Sequence, residues 1–126
     1  VARRYASEAV LGEWARLLAQ GRAHVLRDSD EWDGYEDVSK DAVVHVELRK
    51  WADAAVIAPC SANTLAKVAL GLCDNLATSF LRACDPEKPM VVAPAMNTVM
   101  WEHPATARHL RELESWGFAV VAPASK

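Results

Sequence analysis

Ala54-Ala55-Val56-Ile57-Ala58-Pro59 decides the fold, because the same phrase returns twice further along the chain. Met90-Val91-Val92-Ala93 runs into Pro94, and Phe118-Ala119-Val120-Val121-Ala122 runs into Pro123. Each is a short apolar run with no polar alternation, as in strands of a parallel sheet that helices cover on both faces. Proline has no N–H to give a ladder, so each one is expected to mark its strand's end.

The segments between these runs read as helices. Ala62, Leu65, Ala66, Ala69 and Leu70 form one apolar stripe at helical spacing, with Ser61 as N-cap and Gly71 as stop. A second helix is expected from Asp74 or Asn75 to Ala83, and a third from Pro104 to Gly117. Strand and helix thus alternate with about 30 residues per unit, the rhythm of βαβ units. The fold class is α/β, an open, doubly wound parallel sheet with right-handed crossovers. Ligands bind such sheets beyond the carboxyl ends of the strands. That places the loops 60–64, 95–98 and 124–126 along one binding edge. Upstream, residues 5–18 suit a helix, and the acidic stretch 28–37 around Trp32 suits a surface loop or short helix. Residues 1–24 are otherwise unassigned within a single domain spanning 1–126.

Composition narrows the class. Of the 126 residues, 52% are hydrophobic and 25% charged, a globular balance that excludes disorder. The net charge of −3 leaves no broad basic field for nucleic acid or an anionic membrane. No apolar run approaches the roughly 18 residues of a membrane helix. Arg3 and Arg4 are not followed by the apolar stretch of a signal peptide. Cys60, Cys73 and Cys84 are odd in number and form no C-x-x-C, which suits a reducing compartment such as the cytoplasm. Cys73 and Cys84 read as small buried hydrophobes. No His/Cys/Asp/Glu spacing points to a metal.

Three places carry polar chemistry, and one apolar cluster lies beside the second. Ser61, Ala62, Asn63 and Thr64 open a helix, whose N–H groups and hydroxyls suit a phosphate or serve as an ordinary cap. No G-x-G-x-x-G or P-loop is present. Asn97, three residues past a strand, has an amide able to grip a carboxylate or an amide, or to cap the segment that follows. Met96, Met100 and Trp101 suit either a core cluster or a cover for a flat aromatic ligand. His45, among valines before the first strand, suits proton transfer or a structural role. His24, His103 and His109 sit in polar contexts and read as surface residues.

At this point the motifs resemble a known family. Pro59-Cys60-Ser61-Ala62-Asn63-Thr64 is similar to the P-x-S-A-N-T signature of the flavin-containing cysteine decarboxylases. The stretch PAMNTVMW, from Pro94 to Trp101, matches their P-x-M-N-x-x-M-W signature at every fixed position. VVHVELRKWAD around His45 and GLCDNL from Gly71 resemble two further shared stretches, and the acidic run with Trp32 resembles the coenzyme A branch. The resemblance runs from about Val25 to Lys126.

The resemblance implies a flavodoxin- or Rossmann-like three-layer α/β/α fold and an FMN cofactor. It implies FMN-dependent decarboxylation of phosphopantothenoylcysteine to phosphopantetheine, in coenzyme A biosynthesis. It implies His45 as acid/base, with Asn97 holding the departing carboxylate and touching FMN. Ser61, Ala62, Asn63 and Thr64 would bind FMN, and Met100 would line the substrate pocket. It further implies a homotrimer with flavin between subunits. The family also has an N-terminal small-residue loop and a C-terminal C-G-D segment whose cysteine completes the reaction. Neither is found in these 126 residues, so the expectation is a central fragment, or a trimer with a paralogue that supplies the cysteine. Kept beside this are a peptidyl-cysteine decarboxylase and a phosphatase-inhibitor-like regulatory subunit. An FMN-binding prenyltransferase lacks the PAMNTVMW pattern.

Overall fold

A computed structural model of the chain describes residues 8–37 and 39–123. Its elements run in the order α1 (Glu8–Ala19), a 3-10 turn (Asp28–Glu31), α2 (Val44–Trp51), β1 (Ala55–Cys60), α3 (Ala62–Ala69), α4 (Leu76–Ala83), β2 (Met90–Pro94), α5 (Thr98–Glu102), α6 (Pro104–Ser115) and β3 (Ala119–Val120). The three strands are parallel in the order β1-β2-β3. The α/β class with an open parallel sheet is therefore as the repeated phrase implies. The loop 124–126 lies outside the described residues, as do residues 5–7 of the expected first helix.

The helix boundaries follow the local chemistry. Ser61 accepts the Thr64 N–H at 3.1 Å and starts α3. Gly71, at φ +70°, closes it, with the Gly71 N–H on the Val68 carbonyl and the Leu72 N–H on that of Lys67. That bond pair is a Schellman ending, and its left-handed residue is where a glycine belongs. Asn75 starts α4 through a capping box with Thr78. Pro104 takes the first position of α6, where its missing N–H removes no helical bond.

The core joins Cys60, Leu65, Val68, Ala69, Val92 and Leu113, so α3 and α6 pack together on one sheet face. Two right-handed crossovers stepping the same way along a sheet put their helices on the same side. The strands consequently alternate, contrary to the expectation of burial on both faces. Met90, Val92 and Pro94 are buried, whereas Val56 is 67% exposed and Val121 53%. Leu70 leaves the expected stripe for solvent, and Val68 takes its place in the core.

Several other expectations are corrected. Pro59 does not end β1 but lies inside it, where the register shifts between Ile57 and Cys60. A strand at the edge of the described sheet tolerates the missing N–H. β3 is shorter than its apolar run, two residues only. Cys73 is exposed in the turn after Gly71 and Cys84 is half-buried, whereas Cys60 is fully buried. His109 is half-buried with Nε2 enclosed and unbonded, and burial lowers its pKa first, with Arg108 adding to the effect. His103 is exposed but structural, its Nδ1 accepting the Ala105 N–H at 3.1 Å at the start of α6. The acidic stretch around Trp32 is not wholly surface, because Glu31 is 6% exposed.

Candidate active site

β1 and β2 lie side by side, so the loops at their carboxyl ends are neighbours. The Ala95 N–H donates to the Cys60 carbonyl at 2.8 Å and clips the two loops together. Ser61 to Thr64 and Asn97 are thereby brought to one place, as the sequence implies.

The first loop is built from unspent donors. A helix leaves its first N–H groups without intrahelical partners. In α3 the Ser61 side chain takes that of Thr64, which leaves those of Ala62 and Asn63. The Ser61 and Thr64 hydroxyls are 3.0 Å apart, and Asn63 is exposed. Lys67, the cation of α3, is engaged by Asp74. The donor set is thus neutral: two N–H groups, two hydroxyls, an amide and the positive end of an eight-residue helix. That chemistry fits a phosphate group.

In the second loop Asn97 caps α5, its Oδ1 accepting the Met100 N–H at 2.8 Å. The cap uses the acceptor and leaves the Nδ2 donors for a carboxylate. The methionine cluster divides. Met96 packs against the core, and the Thr106 hydroxyl donates to the Met100 carbonyl at 2.6 Å. Met100 itself is 44% exposed and Val99 is 77% exposed, so an apolar strip flanks the Asn97 amide.

His45 enters from another element. It sits in the first turn of α2. Lys88, just before β2, donates to the carbonyls of Arg49 and Ala52 at 2.6 and 2.7 Å, which fixes the far end of α2 where the strands begin. His45 lies roughly 9 Å along the axis from Trp51, at 1.5 Å per residue. Among the described residues no hydrogen bond joins His45 to either loop. Its Nδ1 is instead 2.5 Å from Oε1 of the buried Glu31. Sequence reasoning missed Glu31; the signal available was its place in Asp28-Ser29-Asp30-Glu31-Trp32, where it reads as one of several surface acids.

Cys60, beside the donor loop, is sealed in the core. Burial pushes its thiol up to about 11, so it stays protonated and a poor nucleophile at neutral pH. Cys73 follows α3's far end, about 12 Å away along that helix. A cavity of about 470 Å³ lies at the opposite edge between Met90, Phe118, Trp116 and Arg82, and none of the candidate residues lines it.

Fold and site together describe a parallel-sheet domain whose carboxyl edge carries donors that fit a phosphate. The flavoprotein family model matches residues 2–126, and the chain belongs to that family. Over 99 residues it is 57% identical to the phosphopantothenoylcysteine decarboxylase of Oryza sativa subsp. japonica, covering 79% of this chain and 44% of that protein. A solved PPC decarboxylase variant complexed with pantothenoylaminoethenethiol superposes with a TM-score of 0.77 at 53% identity, covering 80% of this chain and 55% of that one. The FMN binding protein AtHal3 superposes with a TM-score of 0.80 at 51% identity, covering 84% and 57%. The chain spans about half the length of the curated relatives it matches.

Proposed function

We propose that this chain forms the central part of an FMN-dependent phosphopantothenoylcysteine decarboxylase of coenzyme A synthesis. The observation that carries the reading is the clipped pair of loops, which places a phosphate-fitting helix terminus beside an amide with free donors. Ser61, Thr64 and the N–H groups of Ala62 and Asn63 hold the FMN phosphate. When bound, FMN supplies oxidation of the substrate thiol to a thiocarbonyl, an electron sink without which carbon dioxide loss would leave an unstabilised carbanion.

The chain's own residues do the rest. Asn97 orients the substrate carboxylate through Nδ2, and Met100 with Val99 keeps water from that side. His45 accepts the thiol proton. Carbon dioxide leaves as a neutral molecule, and the electron pair of the broken bond passes onto the thiocarbonyl sulfur as an ene-thiolate. None of Cys60, Cys73 and Cys84 is placed for the reductive step. Another part of the protein or a partner chain supplies that cysteine. The exposed face around Val56 and Val121 supports association, and we assign the protein as a cytoplasmic trimer, homomeric or with a cysteine-supplying paralogue.

Turnover with added FMN tests the reading. Phosphopantothenoylcysteine should release carbon dioxide at least tenfold faster than a cysteine-terminated peptide. The reverse preference would place the chain with the peptidyl-cysteine decarboxylases. Light scattering that finds only monomer at micromolar concentration rejects the trimer.

A further inference from the structure

Glu31 is an acid in an expensive position. It is 6% exposed, its Oε1 bonds His45 Nδ1, and its Oε2 is buried with no partner among the described residues. A buried carboxylate oxygen left unbonded works against stability, and a buried ion pair is weak evidence of a stabilising role. The residue therefore calls for a reason other than folding.

Its neighbours make the contrast. On the same 3-10 turn, Asp28 Oδ1 accepts the Leu76 N–H at 3.0 Å, and Asp30 Oδ2 accepts the Arg27 N–H at 2.5 Å. These two acids anchor the turn to α4 and to its own backbone. Glu31 alone commits its carboxylate to a histidine. The turn packs on both α2 and α4, and the Glu31 carboxylate meets α2 through His45. The other charged groups on these elements are spent or remote. Glu47 pairs with Lys50 at 2.6 Å, the Arg49 charge acts on the Cys84 thiol, and Arg82 lies against Gly71 at the far end of α4.

We propose that Glu31 is the positioning residue for His45, fixing the ring with its hydrogen on Nδ1 and presenting Nε2 as the proton acceptor. This rests on the decarboxylase reading for the proton's source, but the geometry stands apart from it. An ionised carboxylate only accepts hydrogen bonds, so the ring nitrogen facing it carries the hydrogen. The other nitrogen, on a side chain 27% exposed, is then the free base. When the substrate thiol is oxidised, its proton passes to Nε2, and the ring becomes an imidazolium. That charge forms in the first turn of α2, where the helix dipole opposes it. Glu31 supplies the opposite charge, as a carboxylate does behind a catalytic histidine elsewhere.

The tautomer is read directly from long-range proton–nitrogen NMR of the neutral ring, without substrate or flavin. The wild-type protein should show hydrogen on Nδ1 alone. Glu31→Gln keeps an acceptor oxygen and should keep that pattern. Glu31→Ala should lose it, with hydrogen appearing on Nε2. Flavin bleaching with phosphopantothenoylcysteine should fall roughly 100-fold in Glu31→Ala with KM within about twofold, and less in Glu31→Gln. A wild-type ring with hydrogen on Nε2 overturns the proposal, whatever the variants do. So does a folded Glu31→Ala protein that keeps the wild-type pattern, or one that bleaches at the wild-type rate. Failure of the wild-type protein to bleach at all would count against the decarboxylase reading and leave the tautomer result to decide Glu31.

Discussion

Ser61 does two jobs in this account, and two substitutions separate them. Its oxygen accepts the Thr64 N–H, while its proton is free for Thr64 Oγ1, 3.0 Å away, or for a phosphate. Ser61→Ala removes a helix cap, which costs about 1 kcal/mol of folding stability. Ser61→Gly costs only a few tenths, and φ −69°, ψ 160° suits glycine without strain. The cap acts in the free and the bound protein alike, so it cancels from the affinity for FMN. Loss of a hydroxyl donor to a charged phosphate does not cancel. Such a bond contributes about 1.5–3 kcal/mol, or roughly 10–150-fold in Kd. Flavin fluorescence titration reads the affinity, and thermal unfolding of the apo protein reads the cap. Both variants should bind FMN at least tenfold more weakly, although only Ser61→Ala should unfold several degrees lower. If Ser61→Gly binds FMN within twofold of wild type, the hydroxyl is a cap alone and the phosphate assignment is wrong.

Asn97→Asp keeps a competent cap for α5 but sets a negative charge against the substrate carboxylate, so substrate Kd should rise at least tenfold with apo stability unchanged; equal affinity would remove Asn97 from the substrate site. Leu65→Ala, at a side chain 1% exposed in the core, should cost about 2–5 kcal/mol in urea unfolding, and a loss under 1 would contradict the packing described. The Cys60 thiol is raised from 9.0 to about 11 in the folded protein, so the native state holds its proton where the unfolded state has lost it. Its contribution is full below pH 9 and declines toward pH 11 by up to about 1.4 kcal/mol per unit. Cys60→Ser should flatten that decline relative to wild type, and an unchanged slope would show that the thiol titrates normally.

Much of the fold is legible in three apolar runs and the residues beside them. Ser61, Gly71, Asn75, Pro104 and Gly117 each act through local geometry, so their boundaries read directly. What depends on distant contact does not. Val43, Val44 and Val46 give no helical signal, yet α2 forms because it packs on α4 and the 3-10 turn. Cys60 and Cys73 are alike in composition but differ in burial, one ending β1 under the helices and the other following a helix stop. α5 is a single short helix whose cap, Asn97, carried the same dual reading in the sequence as in the structure. Glu31 was hidden because its partner lies fourteen residues on, and nothing in an acidic run distinguishes the one buried member.

The central claim is that one edge of this sheet holds FMN and the substrate thiol for oxidation, with His45 as the proton acceptor. Anaerobic stopped-flow absorbance of the FMN-loaded protein mixed with phosphopantothenoylcysteine tests it most directly. The account predicts flavin bleaching with one carbon dioxide released per flavin in the wild-type protein, and bleaching at least 100-fold slower in His45→Asn with FMN still bound. Bleaching of His45→Asn at the wild-type rate would contradict the role of His45, and a wild-type flavin that stays oxidised would contradict the claim as a whole.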